Sequence, residues 1–209
     1  MQDVTLDALG LAAGTDKASR GHGYLARYEE LFRPWEDEAF DLLEIGVRFG
    51  RSIRVWHAWF PAARIVGVDL QAITLEDEAR LPRYVFRQGN QADPAFLGAV
   101  LDEFDPRIVI DDGSHVCWHQ ILTFKTNFPR LKPGSIYICE DIQTSFMDEH
   151  GPYRRDSPET AADYFFRLAR HVAGGPGLCP APADDPGLRR MVAAIRSIEI
   201  IPHCAIIRS

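Results

Sequence analysis

Apolar runs of strand length alternate along the chain with stretches of helical spacing. The central run, Ile108-Val109-Ile110, ends abruptly in Asp111-Asp112-Gly113-Ser114-His115, and a second, Ser135 to Cys139, ends in Glu140-Asp141. Neither alternates polar with apolar positions, as expected of strands covered on both faces of a parallel sheet. Phe40–Ile45, Arg64–Asp69 and Arg83–Arg87 read as three further strands. Helical spacing lies between them: Ile53, Val55, Trp56, Trp59 and Phe60 before Pro61; Phe96, Leu97, Val100 and Leu101 after Asp93-Pro94; and Cys117, Ile121, Phe124 and Phe128. This alternation predicts an α/β fold, doubly wound around a mostly parallel seven-stranded sheet. The last two strands are the apolar runs on either side of Pro202, expected to form a C-terminal antiparallel hairpin.

The flanking segments are of a different kind. Val4, Leu6, Leu9 and Leu11 predict a short helix closed by Gly14, and Leu25 to Phe32 a second that Pro34 ends. Residues 1–35 are therefore an N-terminal helical segment. His22 and Tyr24 either pack there or belong to a lid over a ligand. Residues 142–158 are polar and rich in turn formers, including His150, and a long helix follows from Ala161 to Val172. Gly174–Gly187 is expected to be a surface loop, and Leu188–Ile195 a short helix. The stretch 142–190 is the expected substrate side, since loops beside a site usually select what enters it. All 209 residues are expected to make one domain.

Composition narrows the function. Lys and Arg number 23 against 30 Asp and Glu, a net charge of -7. Nucleic-acid binding, which needs clustered positive charge, is not expected. No apolar run approaches the roughly 20 residues of a membrane span, so no membrane partner is expected. Cys117, Cys139, Cys179 and Cys204 form no C-x-x-C pair. With no basic-then-apolar N-terminal stretch, they fit buried thiols in a reducing cytoplasm better than zinc or disulfides.

In open α/β sheets ligands bind beyond the carboxyl ends of the strands. If the Ile108 and Ser135 strands are neighbours, three carboxylates and a histidine meet at one sheet edge: a metal site with a base beside it. Glu44-Ile45-Gly46-Val47-Arg48-Phe49-Gly50-Arg51-Ser52 is a strand, a glycine turn and a helix start, where backbone N–H groups can meet a polar ligand. Its G-x-x-x-G spacing differs from the dinucleotide G-x-G-x-x-G. Asp69 ends the next strand, where an acid can accept both ribose hydroxyls of a nucleoside. Asn90-Gln91 could edge an adenine pocket, whereas Asp93 is read as a helix cap before Pro94.

Glu44-x-Gly46-x-x-x-Gly50, Asp69 and the terminal hairpin resemble a class I S-adenosylmethionine (SAM) methyltransferase with its Rossmann-like sheet. Gly14-Thr15-Asp16-Lys17, His22-Gly23-Tyr24, Gly89-Asn90-Gln91-x-Asp93, Asp111 to His115 and Glu140-Asp141 resemble the magnesium-dependent sugar O-methyltransferases, a pattern shared with cephalosporin hydroxylase-like proteins. Size and motifs are most similar to single-domain mycobacterial enzymes that 1-O-methylate methylmannose polysaccharides. The resemblance implies SAM and Mg²⁺ as cofactors and a sugar or saccharide acceptor, such as the 1-OH of a 3-O-methylmannoside in polysaccharide biosynthesis. It implies Asp112, Glu140 and Asp141 as metal ligands and His115 as catalytic base. It also implies Thr15, Glu44, Gly46, Ser52, Asp69, Asn90, Gln91 and Asp111 as cofactor-binding residues.

Several alternatives stay open. His115 could cap its helix or ligate the metal, with His119 as the fallback base. The acceptor could be a natural-product aglycone or an antibiotic sugar, and the assembly a homodimer. A hydroxylase-like or nicotinamide-dependent oxidoreductase, and a non-catalytic SAM-binding module, are the competing classes. The glycine spacing speaks against NAD, and no two-histidine-plus-carboxylate cluster is evident for non-haem iron.

Overall fold

The computed structural model describes residues 4–148, 151–154 and 157–209. The chain divides into two compact units, Met1–Gly89 and Asn90–Ser209.

In the first unit α1 (Leu6–Ala13) starts at Thr5, whose hydroxyl accepts the Ala8 N–H, and stops at left-handed Gly14 (φ 72°). Then come α2 (Tyr24–Phe32), β1 (Asp41–Ile45), α3 (Arg51–Trp59), β2 (Arg64–Asp69) and β3 (Tyr84–Gln88). β2 pairs in parallel with both β1 and β3, with Leu43 opposite Val66 and Val66 opposite Val85. Every residue of β1 is buried, Glu44 included. Tyr28 and Phe32 of α2 meet Trp56 of α3 with ring centroids 6.3 and 6.0 Å apart, and Phe32 meets Phe60 at 5.7 Å. Trp56, Trp59 and Phe60 are core residues, as their spacing predicts. Tyr24 is buried between His22 and Tyr28, with centroids 5.0 and 5.9 Å away. Packing therefore describes Tyr24 better than a place in a lid.

The second unit contains α4 (Pro94–Glu103), β4 (Pro106–Asp111), α5 (Cys117–Asn127), β5 (Ile136–Cys139), α6 (Ala161–Leu178), α7 (Pro186–Ala194), β6 (Ser197–Ile201) and β7 (Cys204–Arg208). β4 and β5 are parallel, while β7 runs antiparallel to both β5 and β6. The predicted hairpin is present. Pro202 and His203 form its turn, with His203 at φ 66°. Phe124 of α5 is the centre of an aromatic cluster with Phe128, Tyr137, Tyr164 and Phe165, at centroid distances of 4.9 to 6.0 Å. The strand order is β3-β2-β1 within the first unit and β4-β5-β7-β6 within the second.

The structure differs from expectation at α6. The expected loop from Gly174 begins later, because the helix only breaks at Gly175 (φ 60°, ψ -178°) and resumes for a last turn to Leu178. Only glycine tolerates that conformation well, and Pro176 suits the first turn of a restarted helix, where no N–H is needed. The described residues of the 142–158 stretch include regular turns and a bond to α5. Ile142–Phe146 is a 3-10 turn, and the Cys117 N–H donates to the Tyr153 carbonyl at 2.7 Å. His150 lies outside the described residues. Among the described residues no helix is long and apolar enough to cross a membrane. All four cysteines are free, and Cys117, Cys139 and Cys204 are buried.

Asp93 is the N-cap expected from the Asp-Pro pair: its carboxylate accepts the Ala95 N–H at 2.9 Å. Asp93→Ala is expected to lower unfolding free energy by about 1 kcal/mol, the usual value of such a cap, as read by urea denaturation.

Candidate functional site

The site residues of the second unit lie where β4 and β5 end. The Glu140 N–H still donates to the Asp111 carbonyl at 2.9 Å, so the two strands end side by side. Each chain then turns sharply, with His115 and Asp141 both at φ 57°, a region non-glycine residues rarely adopt. These turns bring Asp112, His115 and Asp141 together. One ligand atom from each lies within 4.8 Å of the others, the one such group of three among the described residues. His115 Nε2 is 4.0 Å from Asp112 Oδ1 and 3.6 Å from Asp141 Oδ2, and all three side chains are partly exposed. The other ring nitrogen, Nδ1, is buried without a hydrogen-bond partner among the described residues. Two carboxylates and one imidazole at this separation are a donor set that suits a hard divalent cation such as Mg²⁺ or Mn²⁺.

Glu140 is not a member of that group. Its side chain is buried, and its carbonyl accepts a 2.8 Å hydrogen bond from the Gln120 amide. Asp141 Oδ1 accepts from the Gln143 amide at 3.2 Å. The Thr144 hydroxyl reaches the carbonyls of His115 (2.9 Å) and Asp141 (3.0 Å), which joins the two turns. His119, one turn into α5, has its Nδ1 2.6 Å from the Ser114 hydroxyl, and burial lowers its pKa.

Asp111 faces the interior. It is 1% exposed, with one carboxylate oxygen 3.1 Å from the Tyr137 hydroxyl and the other 3.1 Å from the Gln91 amide. Burial pushes its pKa up to about 7, against the hydrogen bonds from Tyr137, the Gly113 backbone and Gln91, which favour the anion. Gln91 is buried in the same network, whereas the Asn90 side-chain carbonyl accepts the Ala92 N–H at 2.9 Å.

The candidate residues of the first unit surround the glycine turn after β1. Gly46, Arg48 and Gly50 all have positive φ. A Cβ on Gly50 would run into the Leu75 side chain, and the φ of 64° there is one that residues with a side chain rarely adopt. Asp69 braces this turn: one oxygen accepts the N–H groups of Val47 (2.9 Å) and Arg48 (3.0 Å), the other that of Gln71 (3.0 Å). Gly50 caps α3 without a side-chain hydrogen bond, the open kind of helix start that suits a ligand carboxylate. Below the turn, the fully buried Glu44 accepts from the Ser52 hydroxyl at 2.8 Å and the Trp56 indole at 3.0 Å, and buried Lys17 lies 3.6 Å from its other oxygen. Thr15, also buried, accepts the Lys17 N–H at 3.4 Å, and Arg51 donates to the Gly14 carbonyl at 2.9 Å. The Gly14-Thr15-Asp16-Lys17 stretch is thus tied to the glycine turn inside one unit.

Sequence reading gave no role to Lys17, Gln120, Thr123 or Tyr137, although each holds a candidate site residue or its brace. A signal was available for two of them. Gln120 and Thr123 share the buried stripe of α5 with Cys117, Phe124 and Asn127, and polar residues on a buried stripe require partners.

No protein-family model matches the chain. It is 37% identical over 189 residues, 86% of its length, to the 8-demethyl-8-alpha-L-rhamnosyl tetracenomycin-C 2'-O-methyltransferase of Streptomyces olivaceus, covering 49% of that protein. It is 34% identical over 138 residues, 62% of its length, to the mycinamicin VI 2''-O-methyltransferase of Micromonospora griseorubida, covering 34% of that protein. Among solved structures, MycE methyltransferase of the mycinamycin pathway in complex with Mg and SAH superimposes with a TM-score of 0.81 at 25% identity, over 97% of this chain and 54% of that one. The chain spans about half the length, or less, of the curated relatives it matches. Over 86% of its length in sequence and 97% in fold, the chain is similar to these sugar O-methyltransferases.

Proposed function

We propose that the chain is a metal-dependent O-methyltransferase that moves the methyl group of SAM to a hydroxyl of a saccharide-containing acceptor. The observation that carries this reading is the meeting of Asp112, His115 and Asp141 at two strand ends, in a chain 37% identical to an O-methyltransferase of a rhamnosylated antibiotic. Methyl transfer from a sulfonium is an in-line displacement, and a neutral alcohol is a weak nucleophile for it. Bound Mg²⁺ supplies positive charge that lowers the pKa of an acceptor hydroxyl. We assign Asp112, Asp141 and the adjacent Glu140 to holding the cation. His115 takes the hydroxyl proton at Nε2, the nitrogen that faces the carboxylates.

The cofactor side belongs to the first unit. The glycine turn and the open start of α3 receive the methionine part of SAM, near Glu44, Ser52 and Thr15. Asp69 receives the ribose. Its two oxygens already accept three N–H groups, but carboxylate oxygens offer about four lone-pair positions, so one ribose hydroxyl can add to the brace. Asn90, beside that unit in sequence, edges the adenine.

Two acceptor classes are in view. The tetracenomycin and mycinamicin relatives favour a sugar already attached to an antibiotic. The motif pattern favours a methylated mannoside. The donor set counts against the hydroxylase-like reading, which calls for two histidines and one carboxylate, the reverse of this composition.

The test is methyl transfer from labelled SAM to a panel of free sugars, methylmannosides and rhamnosylated aglycones, with Mg²⁺ and with excess EDTA. The expected result is transfer to at least one saccharide that stops in EDTA. Transfer that persists in EDTA would remove the metal from the mechanism, and transfer to no saccharide would remove the acceptor class. His115→Ala is expected to lower kcat by about 10² to 10⁴-fold, the usual contribution of a general base, with S-adenosylhomocysteine affinity unchanged by calorimetry.

A further inference from the structure

We propose that Gln91 is a positioning residue of the metal site: its buried side-chain amide locks the Asp111–His115 turn, and so sets where Asp112 and His115 point. The inference rests on the metal-dependent reading above, and it replaces the expected role of Gln91 in cofactor binding.

The amide of Gln91 touches three separate parts of the second unit. Its Nε2 donates to Asp111 Oδ1 at the end of β4 (3.1 Å) and to Thr123 Oγ1 in α5 (3.2 Å). Its Oε1 accepts the Ser114 N–H at 2.6 Å. Both N–H bonds and the carbonyl are therefore engaged, and no donor is left to offer an adenine. The fit is close: a Cβ on Gly113 would overlap Oε1, so any side chain there would displace the Gln91 amide.

The consequence follows from chain connectivity. Asp112 lies between Asp111 and Gly113, one fixed by a hydrogen bond to the Gln91 amide and the other by contact with it. His115 follows directly on Ser114, whose N–H the amide holds. His115 sits at positive φ, a conformation that persists only where the surroundings over-determine it. The Gln91 amide on one side and the Thr144 hydroxyl on the His115 carbonyl on the other supply that constraint. Groups that orient metal ligands from behind commonly change metal affinity by about 10 to 100-fold when removed.

The test uses Gln91→Met, which keeps the length and apolar volume but removes every hydrogen bond. Mn²⁺ binding is followed by electron paramagnetic resonance and S-adenosylhomocysteine binding by calorimetry. The expected result is a Mn²⁺ dissociation constant raised about 10 to 100-fold with S-adenosylhomocysteine affinity unchanged, and a lower kcat at an unchanged KM for SAM. Val100→Ala, a buried change in α4, serves as the stability control and is expected to leave Mn²⁺ affinity alone at a similar loss of Tm. If Gln91→Met does not fold, Thr123→Val removes one of the three partners and is expected to weaken Mn²⁺ binding in the same direction by less. Weakened S-adenosylhomocysteine binding with intact Mn²⁺ affinity would overturn the proposal and return Gln91 to the cofactor. Unchanged Mn²⁺ affinity in the glutamine variant, in the threonine variant where that takes its place, or an equal loss in the control, would also overturn it. A wild-type protein that binds no Mn²⁺ would overturn the metal reading and this inference together.

Discussion

β4 and β5 are buried to their last residues, and both must pass from a fully covered sheet to solvent within two or three positions. Inside the sheet the backbone polar groups pair with neighbouring strands. Past its edge they need new partners or water. The chain meets this by turning through positive φ at His115 and Asp141 and by tying the turns with side chains: Gln91 to Ser114, Thr144 to His115 and Asp141, Gln120 to Glu140. Asp112, His115 and Asp141 are the residues left partly exposed once those bonds are made. Their placement thus follows from how the backbone of two strand ends is satisfied.

The first unit solves a related problem with charge. Glu44 is buried within β1 and cannot keep its charge there without partners, since a lone ion in the interior is strongly disfavoured. Ser52, Trp56 and Lys17 surround it. Removing one partner of such a buried pair typically costs about 3 to 5 kcal/mol, because the other charge is left uncompensated. The pair joins the Gly14-Thr15-Asp16-Lys17 stretch to the strand beneath the glycine turn, while Asp69 fixes the turn from the tip of β2. A turn held from two sides is already shaped before any ligand arrives, which lowers the ordering cost of binding.

The fold was legible because its signals are local. Continuous apolar runs marked β1, β2, β4 and β5, helical spacing marked α3, α4 and α5, and Pro202 marked the terminal turn. The break in α6 was displaced from its predicted place because Gly174-Gly175-Pro176 reads as a stop, whereas Gly175 alone absorbs the kink and Pro176 starts another turn. Asp93 was legible as a cap because a cap is an interaction across two or three residues.

The partners were not legible. Asp111 and Asp112 are neighbours of the same type, and only the resemblance assigned one to the cofactor and the other to the metal. One enters a buried network with Tyr137 and Gln91, and the other joins His115 and Asp141. Gln91 lies 20 residues from Asp111 and 32 from Thr123, and Lys17 lies 27 positions from Glu44. The sequence by itself determined which elements form and that acids end the strands, since periodicity and turn chemistry act over a few residues. Only the tertiary structure decided which of those acids face the interior and which meet the imidazole. That choice depends on side chains brought together across strands and helices, where burial makes every polar group find a partner.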